Sequence, residues 1–415
     1  MPSSEFSDYL LTRQPILDLQ EELVGYAISL RATPDDAPTG KIRSATLICA
    51  AYAEFGLRTA LGPSKAFIPA DTAFLLDDAI EALPPEAVVI ELTLDAPPDN
   101  TTLERCRTLR DRRYKLALDN YGGLDDRSGP LLGLVDIVKI DTTQTSPAGL
   151  AELAGPLAKL PMQLMATGVD SQDKMQRCRA LGFHLFRGYY FARPELISGR
   201  RLSASQAGLI QLINLAGRDA DSGEIEEGIK REPALAINLL RIVNSAGYGM
   251  TRRITSLRNA ITILGRRQLQ RWLQLLLMAP AGKTADLGRS PLLQVAALRG
   301  RMMELISAQR HSRDARLAEQ AFITGIMSMM PAALGLPLAE ILEQIVLDPE
   351  VASALSGRGG ALGQSLALLE SFDNEDIPSC DRLMTEIACP SLTRQALNAS
   401  LAEALRWLNA APGGI

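Results

Sequence analysis

Histidine is nearly absent: the 415 residues hold two, His184 and His311. They stand far apart, which excludes any mechanism built on a histidine cluster and nearly every His-rich zinc or iron site. A basic surplus is missing too. Lys and Arg number 43 against 48 Asp and Glu, a formal net charge of −5, which argues against a general nucleic-acid binder. The five cysteines, Cys49, Cys106, Cys178, Cys380 and Cys389, show no paired or metal-type spacing, as expected of reduced thiols in a cytoplasm. No apolar run approaches the length needed to cross a bilayer. Met1–Leu10, with Glu5 and Asp8, lacks the basic and apolar regions of a signal peptide. The expectation is a cytoplasmic protein with no nucleic-acid or membrane partner and no cofactor.

What is present is apolar residues in two different rhythms. Hydrophobic residues make up 47% of the chain, enough for two or three cored domains at this length. Up to about residue 198, β-type runs alternate with amphipathic segments. The runs are Leu23–Leu30, Ala66–Ile68, Ala87–Leu92, Lys115–Leu118, Val135–Ile140, Gln163–Ala166 and His184–Arg187; the segments include 45–55, 100–112 and 172–181. That alternation predicts parallel βαβ units, closed into a barrel or left as an open sheet. From residue 203 the spacing is helical throughout: Leu235, Leu239, Ile242 and Ala246 share one face, as do Ile254, Leu257, Ile261 and Leu264. Pro233 marks a helix start and Gly247 a stop. The domains are therefore drawn at 1–198, α/β, and 203–415, all-α.

Polar side chains recur where the strands end. Glu91 closes one run, Asp119 and Asn120 follow another, and Lys139 and Asp141 flank Ile140. Active sites of (β/α) barrels lie on that rim, and carboxylates with a lysine suit a divalent cation and phosphate chemistry. The plain alternative is that polar residues mark where strands leave the core.

The segments Arg13-Gln14-Pro15-Ile16, Val24-Gly25-Tyr26, Ala117-Leu118-Asp119-Asn120-Tyr121-Gly122, Val138-Lys139-Ile140-Asp141 and Arg187-Gly188-Tyr189 through Pro194 resemble the EAL family of cyclic-di-GMP phosphodiesterases. The resemblance implies a TIM-type barrel with a two-metal hydrolysis site, and it also exposes departures. The signature Glu-Ala-Leu is Ala27-Ile28-Ser29, so the first metal ligand becomes a methyl group. The ligand Asn is Pro69, the Asp-Asp pair is Asp119-Asn120, the Glu of Glu-Gly-Val is Thr167, and the Gln before Gly-Tyr is Arg187. Glu91, Asp119 and Lys139 remain as vestiges. Between Arg31 and Ala66 the chain is about thirty residues shorter than the family pattern, an abridged barrel. Paired Mg²⁺ ions need more carboxylates than these, so the expectation is no metal and no catalysis. The resemblance also marks Gln14, Arg31, Asp119 and Pro194 as positions that contact cyclic-di-GMP. The plain use of Arg31 and Asp119 is instead a salt bridge closing an unused rim.

In the second half, Glu232 to Gly249 and Ile254 to Gly265 resemble the HDOD domain, a non-enzymatic relative of HD-type metal phosphohydrolases, which implies a helical bundle used in bacterial signalling. Ser328 and Met329 stand where the HD pair would be, so that metal site is not expected. His311 reads as a solvated loop residue and Asn244 and Ser245 as a helix C-cap, while Met327, Met329 and Met330 read as core filling. A basic cluster, Arg252, Arg253, Arg258, Arg266, Arg267 and Arg271, suits an acidic or phosphorylated partner; its plain reading is a solvated helix face.

The sequence thus predicts a multidomain chain, a degenerate EAL barrel followed by an HDOD bundle, working as a non-enzymatic adaptor between signalling proteins. A metal-independent cyclic-di-GMP receptor and a residual phosphodiesterase are the alternatives, and a homodimer is an open assembly.

Overall fold

The computed structural model describes residues 9–31, 61, 64–93, 96–123, 129–194, 202–218, 221–244, 254–279, 290–311 and 314–410. The expected segment at 45–55, the shortened stretch after Arg31, the residues after Pro194 in the junction, and Ser245–Gly249 lie outside them. The chain divides into two compact units. One gathers Met1–Phe191 with Ser371–Ser379 and Thr393–Ala402; the other holds Ala192–Glu370, Cys380–Leu392 and Glu403–Ile415.

The first unit is a closed barrel in sequence order: β1 (Leu10–Leu17), β2 (Leu23–Arg31), β3 (Lys65–Ala70), β4 (Val88–Leu92), β5 (Lys115–Leu118), β6 (Ile137–Asp141), β7 (Gln163–Thr167) and β8 (Leu185–Arg187). The parallel expectation holds from β2 to β8. β1 corrects it, since it runs antiparallel to both β2 and β8. A tight turn makes this possible: the Asp18 carboxylate accepts from the Gln20 and Glu22 amides at 2.9 Å each, and Glu21 takes φ 60°. One side chain from every strand fills the barrel interior: Ile16, Ala27, Phe67, Val89, Ala117, Ile137, Met165 and Leu185, all buried. Helices α1 (Thr72–Leu76), α2 (Asn100–Asp111), α3 (Pro147–Leu157) and α4 (Gln172–Ala180) alternate with the strands. Asp99, Ser146 and Ser171 cap the last three by accepting from amides in the first turn, which supplies partners for otherwise orphan donors. Asn398, fully buried, binds the start of β1: its Oδ1 accepts from the Leu11 amide at 2.8 Å and its Nδ2 donates to Tyr9 O at 2.9 Å.

The second unit is helical. Its elements begin with α5 (Ala204–Gly217), α6 (Ser222–Lys230), α7 (Pro233–Val243), α8 (Leu257–Leu277), α9 (Pro291–Arg310) and α10 (Ala315–Met327). The chain continues through α11 (Met330–Leu334), α12 (Leu338–Gln344), α13 (Pro349–Gly357), α14 (Gly360–Asp373), α15 (Ile377–Ile387) and α16 (Arg394–Ala410), the last three shared between the units. Pro233 is the first residue of α7, as its missing N–H favours. Leu235, Leu239, Ile261 and Leu264 are buried as their spacing predicts. α8 bends at Gly265, whose φ of 75° no helix interior has. α9 and α10 cross so closely that a Cβ on Gly325 would lie 2.6 Å from the Gly300 Cα; only glycine permits that approach. The stretch Ala315–Leu334 is by length and composition apolar enough to cross a membrane, against the sequence expectation, yet 61% of its most apolar 18-residue window is buried inside the protein. Helices α10 and α11 share this stretch and pack into the core of the unit, which Met327, Met329 and Met330 fill.

Candidate functional site

Alternation along a strand places the polar residues of the barrel mouth. Residues two apart face the same side, so Glu91 follows Val89 inward, Asp119 follows Ala117, Lys139 follows Ile137, Thr167 follows Met165, Arg187 follows Leu185, and on β1 Gln14 follows Ile16. Glu91, Asp119 and Lys139 meet. The Lys139 ammonium, 1% exposed, stands 2.9 Å from Glu91 Oε1 and 2.7 Å from Asp119 Oδ1. Glu91 is also buried, whereas Asp119 keeps 22% of its side chain open. The Asp119 amide donates to Leu92 O at 3.0 Å, and Thr93 Oγ1 donates to Asp119 Oδ2 at 3.4 Å. Asn120 takes φ 50°, a conformation that asparagine tolerates better than most residues. Asp141 turns to its own loop and accepts from the amide and hydroxyl of Thr143 at 2.8 and 2.7 Å.

Gln14 faces β8. Its Oε1 accepts from Arg187 Nε at 2.8 Å, so the arginine that the sequence marks only as extra positive charge is held in a defined position on the mouth. Pro194 is exposed at the end of the barrel segment. Arg31 closes β2, and its side chain lies outside the described residues; Asp119 takes Lys139 as its cation. Ala27 sits in the apolar layer beside Phe67 in register. Among the described residues no group of three or more His, Cys, Asp or Glu side chains could hold a metal ion.

In the helical unit the basic residues have acidic neighbours. Arg258 Nε lies 2.9 Å from Glu226, Arg267 Nε 3.2 Å from Glu319, and Arg271 Nη2 2.7 Å from Glu304. Hydrogen bonds from Lys230 and then Arg258 hold the Glu226 carboxyl below its ordinary range. Arg258 and Arg267 are largely exposed. Arg271 is mostly buried, with its guanidinium 3.9 Å over the Phe322 ring. Arg252 and Arg253 lie outside the described residues. Asn244 caps α7: its Nδ2 donates to Leu240 O and Ile254 O, and its Oδ1 accepts from the Ile254 amide, each at 2.7 Å. Ser328, at the HD position, accepts from Arg299 Nη1 at 2.9 Å, and Met329 is buried.

Sequence reasoning missed Thr12, Ser29 and Glu375, which meet on β1 and β2. No local signal links residues 346 positions apart.

Family models match the chain in two places: the EAL domain over residues 67–194 and the HDOD domain over residues 207–336. Over nearly its whole length the chain is similar to the uncharacterized protein YuxH of Bacillus subtilis, 24% identical, covering 96% of this chain and 97% of that one. It is similar also to the cyclic di-GMP phosphodiesterase CdgJ of Vibrio cholerae, 29% identical, covering 97% of this chain and 94% of the relative. Among solved structures, the c-di-GMP-bound form of a standalone EAL protein from Vibrio cholerae O395 aligns with 45% of this chain and 92% of that chain, at 23% identity and a TM-score of 0.37.

Proposed function

Because the chain carries an EAL domain followed by an HDOD domain, we propose that it serves cyclic-di-GMP signalling in the cytoplasm as a non-catalytic adaptor whose two units engage other signalling proteins. Its similarity to CdgJ supports the pathway. One observation carries the non-catalytic reading: the Lys139 ammonium lies between Glu91 and Asp119 and contacts both.

Two divalent ions held close together require several carboxylates to offset their charge and complete their shells. Among the described residues, two inward-facing carboxylates stand at the strand ends, Glu91 and Asp119, and an internal cation already offsets part of their charge. The positions that would complete the set are Ala27 in an apolar layer, Pro69 and Thr167. Arg187 adds a further positive charge on the mouth. These residues do not fit a two-metal centre, so no hydrolytic step is assigned to them.

The test is hydrolysis. Purified protein incubated with cyclic-di-GMP and Mg²⁺ or Mn²⁺ is expected to release no linear dinucleotide on chromatography beyond a protein-free control. Turnover at a catalytic rate would overturn the reading in favour of a residual phosphodiesterase, the activity that CdgJ is named for.

A second reading, metal-independent binding of the nucleotide, draws on the Gln14–Arg187 pair. A guanidinium anchored through Nε can offer its other donors to a phosphodiester without a metal. Calorimetric titration with cyclic-di-GMP in EDTA separates receptor from pure adaptor: heat of binding at micromolar concentration favours the receptor.

A further inference from the structure

A cavity of about 360 Å³ lies in the outer layer of the barrel, between the start of α3 with the loop before it and one face of α4. That volume falls at the small end of the range of about 300–1,000 Å³ for small-molecule sites. Its wall is mostly aliphatic: Pro147, Leu150, Ala180 and Leu181 line it beside Cys178. Lys174, Arg177, Cys178 and Leu181 follow at intervals of three, one and three residues, which sets them along one face of α4 and its C-cap. Among the described residues no aromatic ring lines the cavity, so a flat base or ring system finds nothing to stack on.

The polar side chains of the wall are Thr142, Thr145, Lys174 and Arg177. Two of them are committed. Thr142 Oγ1 lies 2.7 Å from Thr167 O and 3.2 Å from Gly168 O. Lys174 Nζ donates to Gly168 O at 3.1 Å and pairs with Asp170 at 2.9 Å. The other two are not: among the described residues the Thr145 hydroxyl has no hydrogen-bond partner, and the exposed Arg177 guanidinium has neither ion pair nor hydrogen bond. The charge of Arg177 nevertheless reaches the cavity wall, since it acts on the Cys178 thiol after burial and Lys174.

We propose that this cavity is a binding site for a small aliphatic monocarboxylate, with its alkyl body among Pro147, Leu150 and Leu181 and its carboxylate on Arg177. One uncommitted guanidinium matches one negative charge, and its planar fork suits a carboxylate. Thr145 supplies a second donor. A phosphate or nucleotide would need more free cations than the wall offers, because Asp170 already offsets Lys174. The site uses none of Gln14, Glu91, Asp119, Lys139 or Arg187, so it stands whatever the barrel mouth binds.

The test is calorimetric titration of the full-length chain with octanoate, hexanoate and octan-1-ol, for the parent, Arg177→Gln and Ala180→Trp. Octanoate is expected to bind the parent about tenfold tighter than hexanoate, since each buried methylene contributes about fourfold. Arg177→Gln should weaken octanoate about tenfold and leave octan-1-ol unchanged. Ala180 is exposed at the end of α4, so a tryptophan there fills the cavity from outside and should abolish binding. No heat from octanoate at millimolar concentration with the parent overturns the site. So does equal octanoate affinity in the parent and both variants, which would place the ligand elsewhere. Octan-1-ol binding as tightly as octanoate overturns the role of Arg177. The two variants act on opposite ends of the ligand, so the misfolding of one leaves the other to decide.

Discussion

The Lys139 ammonium and the Asp119 carboxylate are 2.7 Å apart, with the lysine almost dry and the aspartate partly open to solvent. Glu91 completes the group at 2.9 Å from the same nitrogen. Removing one member of a buried ion pair leaves an uncompensated charge, which costs about 3–5 kcal/mol. Lys139→Met is therefore expected to destabilise the barrel by that amount, seen as lost hydrogen-exchange protection in peptides covering β4, β5 and β6. Adding Glu91→Gln and Asp119→Asn to the same chain is expected to recover more than half of the loss. Protection in Lys139→Met equal to that of the parent would show that the triad contributes little.

On the proposed non-catalytic reading, placing a carboxylate at Ala27 and a carboxamide at Pro69 is not expected to confer hydrolysis. Ala27 is 1% exposed and faces Phe67 within the inner layer, so Ala27→Glu inserts a larger, polar group among apolar side chains. The expected cost is about 2–4 kcal/mol. The double variant Ala27→Glu, Pro69→Asn still lacks an acid at Asn120 and Thr167. With Mg²⁺ or Mn²⁺ it should release no more linear dinucleotide than the parent. Robust turnover in the double variant alone would mean that Ala27 and Pro69 are what withhold hydrolysis.

The barrel's polar residues were legible for a simple reason. A strand end is marked by composition, and alternation then assigns its side chains to the inside without any knowledge of tertiary contacts. Lys139, Glu91 and Asp119 come together because all three follow apolar inward residues by two positions. β1 was not legible as a strand. Leu10–Leu17 contains Pro15, which lacks a ladder donor and argues against a sheet interior, and its antiparallel direction breaks the βαβ rhythm. The contact of Glu375 with Thr12 was beyond reach, since it depends on a loop 363 residues away. In the helical half, spacing found the buried faces of α7 and α8. It did not distinguish Arg271 from Arg267, four residues earlier, because only the packing of α9 and α10 shows which of the two has an aromatic ring beneath it.

The described cysteines differ enough in environment to be ranked by reactivity. Burial pushes the Cys106 thiol up to about 11 and raises that of Cys178 as well; Cys380 is also buried. Cys389 is partly open, and a hydrogen bond from Ser391 holds its thiol below the ordinary value. The thiolate is the nucleophile, so a lowered pKa leaves more of it at neutral pH and a raised pKa leaves almost none. Iodoacetamide at about pH 7.5 should label Cys389 well before Cys106, Cys178 or Cys380 as read by peptide mass. Ser391→Ala should slow that labelling and shift its pH profile upward. Faster labelling of Cys106 than of Cys389 in the folded protein would contradict this ranking.

Arg271 bears on what the basic residues of the helical unit are for. Its guanidinium lies 3.9 Å over Phe322 and 2.7 Å from Glu304. Phe322 in turn meets Trp407 edge-on at 5.9 Å. Arg301 also donates to Glu304, at 2.7 Å, so Arg271→Ala leaves that carboxylate partly paired and removes mainly the stacked cation. A desolvated cation–π contact with a charge-assisted hydrogen bond is worth about 2–3 kcal/mol. Arg271→Lys keeps the charge but loses the planar stack and should cost about 1 kcal/mol. Both tryptophans of the chain, Trp272 and Trp407, belong to this unit, so urea unfolding followed by tryptophan emission reports on it directly. Arg258→Ala and Arg267→Ala, whose ion pairs are solvent-exposed, should each stay within about 0.5 kcal/mol of the parent. The contrast separates a structural arginine from two whose exposed ion pairs contribute little to stability: if all three variants unfold at the same urea concentration as the parent, Arg271 has no structural role beyond theirs.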